Sequence, residues 1–406
     1  MTTSKSPIRR PLSRRSILGL LTVAPAAVGG TWALPSAANA TGSTGTTPIP
    51  AALRPGGEID QYLSQLGEQD QFSGTVLATR DGHPVLSRSF GYADKKNGIR
   101  NQADTIYCLA SVTKLFTAIA VAQLAQRGSL TLLDPIGKHL SGFAAEVADK
   151  ITIHHLLTHT SGLGDPMQDK GYFAEALTWT TPEQMMDATL DYIRTESLAF
   201  PPGAGRQYSN SGYHVLGCII AKTSGQSYYD YIHERIFRAA GMTDSDFTTQ
   251  PQWTSGSRYA HPYPTDQSGT RNDALDRDAF AYIGNPAGNA FATATDLVRF
   301  ARALRDGTLL DPAYREIFLS PKMPLKPLPW EPGLPAIAIT PFGTYAPSAS
   351  LINGRWAAGH NGGAPGVSTN LDWYPGTGWV AVKLSNYDEG SESRTIDQKL
   401  RQILTS

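Results

Sequence analysis

Ser111-Val112-Thr113-Lys114-Leu115-Phe116-Thr117-Ala118-Ile119-Ala120-Val121 is the stretch from which the rest of the chain can be read. A run this apolar, ending at Gly128, predicts a helix from Ser111 to Arg127 that is apolar on most sides and therefore buried. At its first turn, Ser111 and Lys114 stand three residues apart on one face, within mutual reach. A serine hydroxyl near neutrality needs such a base or cation before it attacks a carbonyl. The helix start adds backbone N–H donors where an oxyanion would form.

Two further groupings lie downstream. Tyr208-Ser209-Asn210 follows Phe200-Pro201-Pro202-Gly203, in a loop that a helix leaves at about Gly212. A tyrosine beside a cation such as Lys114 can act as a base if its pKa is lowered, and Asn210 offers a donor and an acceptor to a substrate amide. His360-Asn361-Gly362-Gly363 is read as the approach to a strand beginning at Val367. Gly362 on a sheet edge would let a substrate backbone come close. The amide of Gly363 would serve as a second oxyanion donor beside that of Ser111, and His360 would hold a charge or donate across the cleft.

Around these motifs the pattern is strands at both ends and helices between. A helix is expected from Glu58 to Leu66, and strands from Phe72 to Thr79 and from Pro84 to Tyr92 around the Asp81-Gly82 turn. Residues 130–277 look helical and loop-rich, an inserted lobe. Thr293 caps a helix over Ala294–Arg305, and a Pro-rich excursion runs from Pro321 to Pro341. Strands follow over Val367–Tyr374 and Trp379–Ser385 about a Gly376-Thr377-Gly378 turn, with a last helix from Ser393 to Leu404. This is an α+β pattern, one antiparallel sheet completed by the two termini and covered by helices.

Residues 1–40 read as an address. Lys5, Arg9, Arg10, Arg14 and Arg15 precede an apolar run from Ile17 to about Val28, and Ala38-Asn39-Ala40 closes the segment. Arg14-Arg15 resembles a twin-arginine export signal, so a secreted or extracytoplasmic protein is expected. The run is too short, and too rich in Gly and Pro, for a stable membrane span. Residues 41–57 read as a flexible linker and 58–404 as a single catalytic domain. Lysine plus arginine and aspartate plus glutamate each number 35, but without those five leader cations the balance is 30 basic against 35 acidic. A mildly acidic body gives no footing for nucleic acid. Cys108 and Cys218 sit among apolar neighbours and read as buried free thiols. No paired C-x-x-C or H-E-x-x-H supports a metal site.

S-x-x-K, Y-x-N and H-x-G, in that order and roughly 100 and then 150 residues apart, resemble the three elements of class C β-lactamases and their DD-peptidase relatives among the penicillin-recognising enzymes. The likeness extends to Phe72-Ser73-Gly74-Thr75-Val76, Ile151 to Leu163, Gly288-Asn289-Ala290-Phe291-Ala292-Thr293 and Leu384-Ser385-Asn386, and so covers nearly everything from Glu58 onward. It implies a β-lactamase/transpeptidase-like fold. It also implies an acyl-enzyme on Ser111, with Tyr208 and Lys114 together removing the proton and no metal or cofactor. His159-Thr160-Ser161-Gly162, which places a histidine beside a serine, is structural in that family. No G-x-S-x-G of the α/β-hydrolase type occurs.

Departures from the family pattern bear on substrate. His360-Asn361-Gly362 stands where β-lactamases of this class carry Lys-Thr-Gly, which points away from a dedicated β-lactamase. Gly363 replaces a hydroxyl-bearing residue that helps bind a substrate carboxylate. Trp330, Tyr345 and Trp356 are either acyl-pocket walls or core. The expected activity is that of a D-alanyl-D-alanine carboxypeptidase-like peptidase, with an esterase or a class C-like β-lactamase as alternatives. The substrate would be a small peptide, ester or β-lactam, handled by a single protomer.

Overall fold

The computed structural model describes residues 48–406 except Asp278, residues 328–336 and Pro347. The leader with Arg14-Arg15, the Ala38-Asn39-Ala40 pattern, residues 41–47 and Trp330 lie outside the described residues.

Strands β1 (Gly74–Arg80) and β2 (His83–Phe90) pair antiparallel about Asp81-Gly82. Both turn residues take positive φ, 51° and 83°, the two-residue turn whose twist matches that of its strands. Six more strands complete the sheet: β3 (Met323–Pro324), β4 (Ile339–Gly343), β5 (Ser348–Ile352), β6 (Arg355–Ala364), β7 (Val367–Tyr374) and β8 (Trp379–Ser385). Their order is β2-β1-β8-β7-β6-β5-β4-β3, antiparallel throughout. The first strand thus pairs with the last, Gly74 opposite Ser385, and the chain's two ends close one sheet.

Side-chain alternation feeds two cores. Val76, Ala78, Ala357 and Ala381 face one side with Leu63 of α1 (Glu58–Glu68) and Ile396 and Leu400 of α7 (Ser391–Thr405). Leu77, Ala358, Val380 and Val382 face the other with α2 (Thr113–Gln126), α4 (Asn210–Ser224) and α5 (Ala294–Arg305). Because both faces are covered, every residue of β7 and β8 is buried. Lys383 can lie inside because its Nζ meets Asp397 at 2.6 Å and donates to the hydroxyl and carbonyl of Ser393 at 2.7 and 3.1 Å. Residues 130–277 carry the expected helices, among them Ile153–Leu157, α3 (Pro182–Arg194) and α4, and their apolar side chains join the same core as α2. A further helix, α6 (Pro312–Leu319), precedes β3.

Several boundaries differ from expectation. Residues 51–53 of the expected linker form a 3-10 turn whose Leu53 is fully buried with Ile59 and Leu63, so this part of it packs into the core. The Pro-rich excursion contributes β3 and β4, because Pro324 and Pro341 sit toward an edge of the sheet where a missing N–H is tolerated. α4 starts at Asn210 rather than Gly212, since Ser209 Oγ accepts from the Gly212 N–H as its cap. Cys108 and Cys218 are buried free thiols, as expected, each pushed up to about 12 by burial.

Candidate active site

Ser111 does not open an α-helix. It is the middle residue of a 3-10 turn, Ala110–Val112, from which α2 continues. Ala110 before it holds a φ of 44°, a left-handed conformation costly for a residue with a Cβ. Neighbours on every side fix that turn. Thr113 Oγ1 donates to Ala110 O at 2.7 Å and accepts from the Ala290 N–H at 3.0 Å. The Asn289 N–H donates to Ala110 O at 3.1 Å, and the Leu109 N–H to Ala290 O at 2.8 Å. The Gly288-Asn289-Ala290 segment is therefore a brace for the serine.

Lys114 is fully buried and reaches three oxygens: Ser111 Oγ at 3.2 Å, Asn210 Oδ1 at 2.7 Å and the carbonyl of Ala287 at 2.5 Å. Burial pulls its pKa down to about 7, opposed only in part by Asp165. Asp165 acts through Asn210, whose Nδ2 donates to it at 2.8 Å. Its loop is pinned in turn: Ser209 Oγ donates to Gly164 O at 2.9 Å, and the Gly164 N–H donates to Glu196 Oε2 at 2.9 Å. At neutral pH much of Lys114 is thus a free amine, with two hydrogens for two fixed acceptors and a lone pair left for the Ser111 hydroxyl.

Tyr208 stands over the same place, with Lys114 Nζ 4.7 Å from its ring centroid. The expectation that Lys114 lowers this phenol is not met. Although 41% of Tyr208 is exposed, desolvation of its phenol by the surrounding protein pushes it up to about 12, Asp165 adds to the rise, and the Ser111 side chain and Arg206 offset it only in part. The cation above the ring is a face contact, so it stabilises the ring more than an oxygen charge. His159 stacks beneath the phenol at 4.7 Å and 27°, and its Nδ1 accepts from the Ser209 N–H at 3.1 Å. His159 is thus a support for Tyr208, consistent with the structural reading of its segment, and burial holds its pKa far below the usual imidazole range.

The third motif is inside a strand rather than ahead of one. His360 to Gly363 belong to β6, which turns at Pro365-Gly366 into β7. β5 pairs β6 only as far as Gly359, so the motif half of β6 is an open edge. With Ala364 opposite Val367 closing the hairpin, register alternation turns the N–H of Gly363 outward to that edge. Gly362 backs onto the serine turn: a Cβ there would lie 2.3 Å from Leu109 O and 3.0 Å from the Ser111 nitrogen. Asn361, which with Asn210, His360 and Gly362 is a candidate substrate-binding residue, is exposed on the open edge and alternates to the opposite face from His360 and Gly362. Its carbonyl meets His360 Nδ1. His360 stacks toward Tyr208 at 6.4 Å and is pulled down to about 3, chiefly by burial and then by Lys114. Both causes favour the neutral ring at physiological pH.

Ser111, Lys114, Tyr208, Asn210, His360 and Gly362–Gly363 therefore converge. The sequence missed the carbonyl of Ala287, which as backbone carries no signal, and Asp165, 45 residues before Asn210 with no spacing to mark it. It also missed Arg206, which has no ion pair among the described residues. Tyr345 is core, packed on Phe318 at 5.3 Å, and Trp356 is 44% exposed beside Phe342, away from Ser111.

A nucleophile, a buried amine, a phenol and an open strand edge define a serine hydrolase of the penicillin-recognising fold, and a family model named Beta-lactamase matches residues 59–405. The chain belongs to that family. Penicillin-binding protein 4* of Bacillus subtilis is 32% identical over 344 residues, 82% of this chain and 72% of that protein. Esterase EstB of Burkholderia gladioli is 33% identical over 50% of this chain and 54% of its own length. The D-alanyl-D-alanine-carboxypeptidase/endopeptidase AmpH of Escherichia coli is 31% identical over 48% and 50%. The chain thus spans about half the length of the last two. A penicillin-binding protein homologue from Pyrococcus abyssi shares the fold, with a TM-score of 0.73 and 24% identity over 86% of this chain and 76% of that one. That homologue is octameric. No described helix is long and apolar enough to cross a membrane.

Proposed function

We propose that this protein is an exported peptidase of the D-alanyl-D-alanine carboxypeptidase type, which opens an amide through an acyl-enzyme on Ser111. The observation that carries the reading is the Lys114 amine, fixed by Asn210 Oδ1 and Ala287 O with its remaining valence at Ser111 Oγ. Lys114 takes the hydroxyl proton as Ser111 Oγ bonds to the substrate carbonyl carbon. The oxyanion lies between the N–H groups of Ser111 and Gly363, each such donor contributing on the order of 3 kcal/mol to barrier lowering. Tyr208, still a phenol, donates its proton to the leaving nitrogen as the C–N bond breaks, and regains one from Lys114. Water then repeats the sequence in reverse, freeing the acid and Ser111.

The protonated phenol favours an amide substrate. An amine cannot leave as its anion and needs a donor, whereas an aryl oxide leaves without one. The likenesses to AmpH and penicillin-binding protein 4* support the same reading, and the Arg14-Arg15 leader supports export. One observation favours an esterase as second reading. The face of Gly363 is open, with nothing within 4 Å of a Cβ placed there, and it offers no hydroxyl to grip a substrate carboxylate.

Intact mass spectrometry after incubation with a fluorescent penicillin, with a Ser111→Ala control, tests the proposal. A stable adduct on the wild type alone, together with release of D-alanine from an acyl-D-Ala-D-Ala peptide, is the expected result. Turnover of an aryl ester with neither adduct nor peptide cleavage would transfer the assignment to the esterase.

A further inference from the structure

On the sheet face that carries His360 and Gly362, but toward the other end of β6, a second cavity of about 410 Å³ opens between the sheet and helices α5 and α6. Trp356 and Ala358 share that face with His360, and Trp356 is four residues away, about 13 Å along a strand. None of the residues placed at the serine lines this cavity. Its floor is apolar, made by Ala301 of α5 and by Trp373 and Val380 of the sheet, all buried. Its rim is cationic, with Arg302, Arg305 and Arg315 against the single carboxylate of Glu316.

Two of those guanidinium groups are committed. Arg305 pairs with Asp81 at 3.0 Å, and Arg315 holds Glu316 at 3.2 Å and the carbonyl of Arg305 at 2.5 Å. Arg302 makes neither an ion pair nor a side-chain hydrogen bond among the described residues. Trp356, 44% exposed, offers an indole at the same opening. An apolar floor of this size under a few convergent polar groups is the usual form of a small-molecule site. One unpaired, planar guanidinium matches one planar, two-oxygen anion.

We propose that this cavity binds a small amphipathic carboxylate, its apolar body against Trp373 and Val380 and its acid group on Arg302. The site is separate from Ser111 and does not rest on the identity of the acyl donor.

Isothermal titration calorimetry with decanoate below its micelle-forming concentration tests this, with decan-1-ol as the uncharged comparator and tryptophan fluorescence as a second readout. The full chain is used with Ser111 free, or blocked by a fluorophosphonate. Saturable one-to-one binding of decanoate is expected in both states. Arg302→Gln is expected to weaken decanoate about tenfold and to leave decan-1-ol unchanged, the loss typical of one charge-assisted hydrogen-bonded pair. Trp356→Ala, at an exposed position, is expected to weaken both ligands, and neither substitution should alter Ser111-dependent turnover. Three results would each overturn the proposal: no saturable binding, equal decanoate affinity in wild type and Arg302→Gln, or loss of binding when Ser111 is blocked.

Discussion

Replacing Asp165 by Asn removes the carboxylate whose charge favours the protonated form of Lys114, while leaving an oxygen to accept from Asn210 Nδ2. Contacts of 2.7 and 2.8 Å on either side of the Asn210 amide link the amine to the carboxylate. At a separation of about 7 Å and an effective dielectric of ~20, the charge pair is worth about 2 kcal/mol, or ~1.5 pH units. Asp165 is only half-buried, so solvent screening brings the expected shift to between about 0.5 and 1.5 units. The sign follows directly. Without the negative charge the ammonium is less stable, its pKa falls further below 7, and the neutral amine persists to lower pH. The acid limb of kcat/KM, near pH 7 in the wild type, should move to lower pH, measured on an aryl ester or an acyl-D-Ala-D-Ala peptide from pH 4.5 to 9. A one-unit shift makes the variant about tenfold faster at pH 5.5 than the unshifted profile allows. The Met167 N–H, which also bonds Asp165, is near the surface, and losing that contact should cost no more than about 1 kcal/mol of stability. A limb that stays put, or moves to higher pH, would refute Lys114 as the base. A wild-type rate that still rises tenfold per pH unit at pH 9 would place the reaction on the Tyr208 phenolate instead.

Gly362→Ala and Gly363→Ala form a contrasting pair. The first should lose about 1–3 kcal/mol in urea unfolding and most of its activity, because its Cβ meets Leu109 O and the Ser111 nitrogen, whereas the second should unfold like the wild type. Lys383→Met strands Asp397 in the interior and should cost about 3–5 kcal/mol, with most of it recovered in the Lys383→Met/Asp397→Leu double variant. His214, buried and donating Nε2–H to Met186 O at 2.8 Å, is pulled down by burial to about 4 from the 6.5 of the unfolded chain. Its contribution is therefore whole above pH 6.5 and is lost as pH falls, by about 3 kcal/mol at pH 4, and His214→Gln should flatten that loss in urea titrations at pH 4 and 7. Neutral His360 predicts no inflection near pH 6.5 in the NMR titration of its ring protons, and an inflection there would restore a charged role to it.

Much of this protein is decided by local sequence. The periodicity of β1, β7 and β8, the all-round apolar character of α2 and the Asp81-Gly82 turn are short-range patterns, and each matches the element observed. The nucleophile, the lysine one turn on, the tyrosine and the glycine strand were legible because their chemistry restricts the residue types. What the sequence could not supply are the quantities that depend on what packs around each group. The titration of Tyr208 moves opposite to the expectation from adjacency alone, because desolvation acts on the phenolate more strongly than the neighbouring charges do, and burial lowers Lys114 itself. The carbonyl of Ala287 carries no side-chain signal, and Asp165 reaches the amine only once Asn210 lies between them. The closing of one sheet by the two termini was expected, but the register of β1 on β8, Gly74 opposite Ser385, and the brace of Asn289 and Ala290 on Ala110 are contacts between distant segments, and only the folded chain sets them.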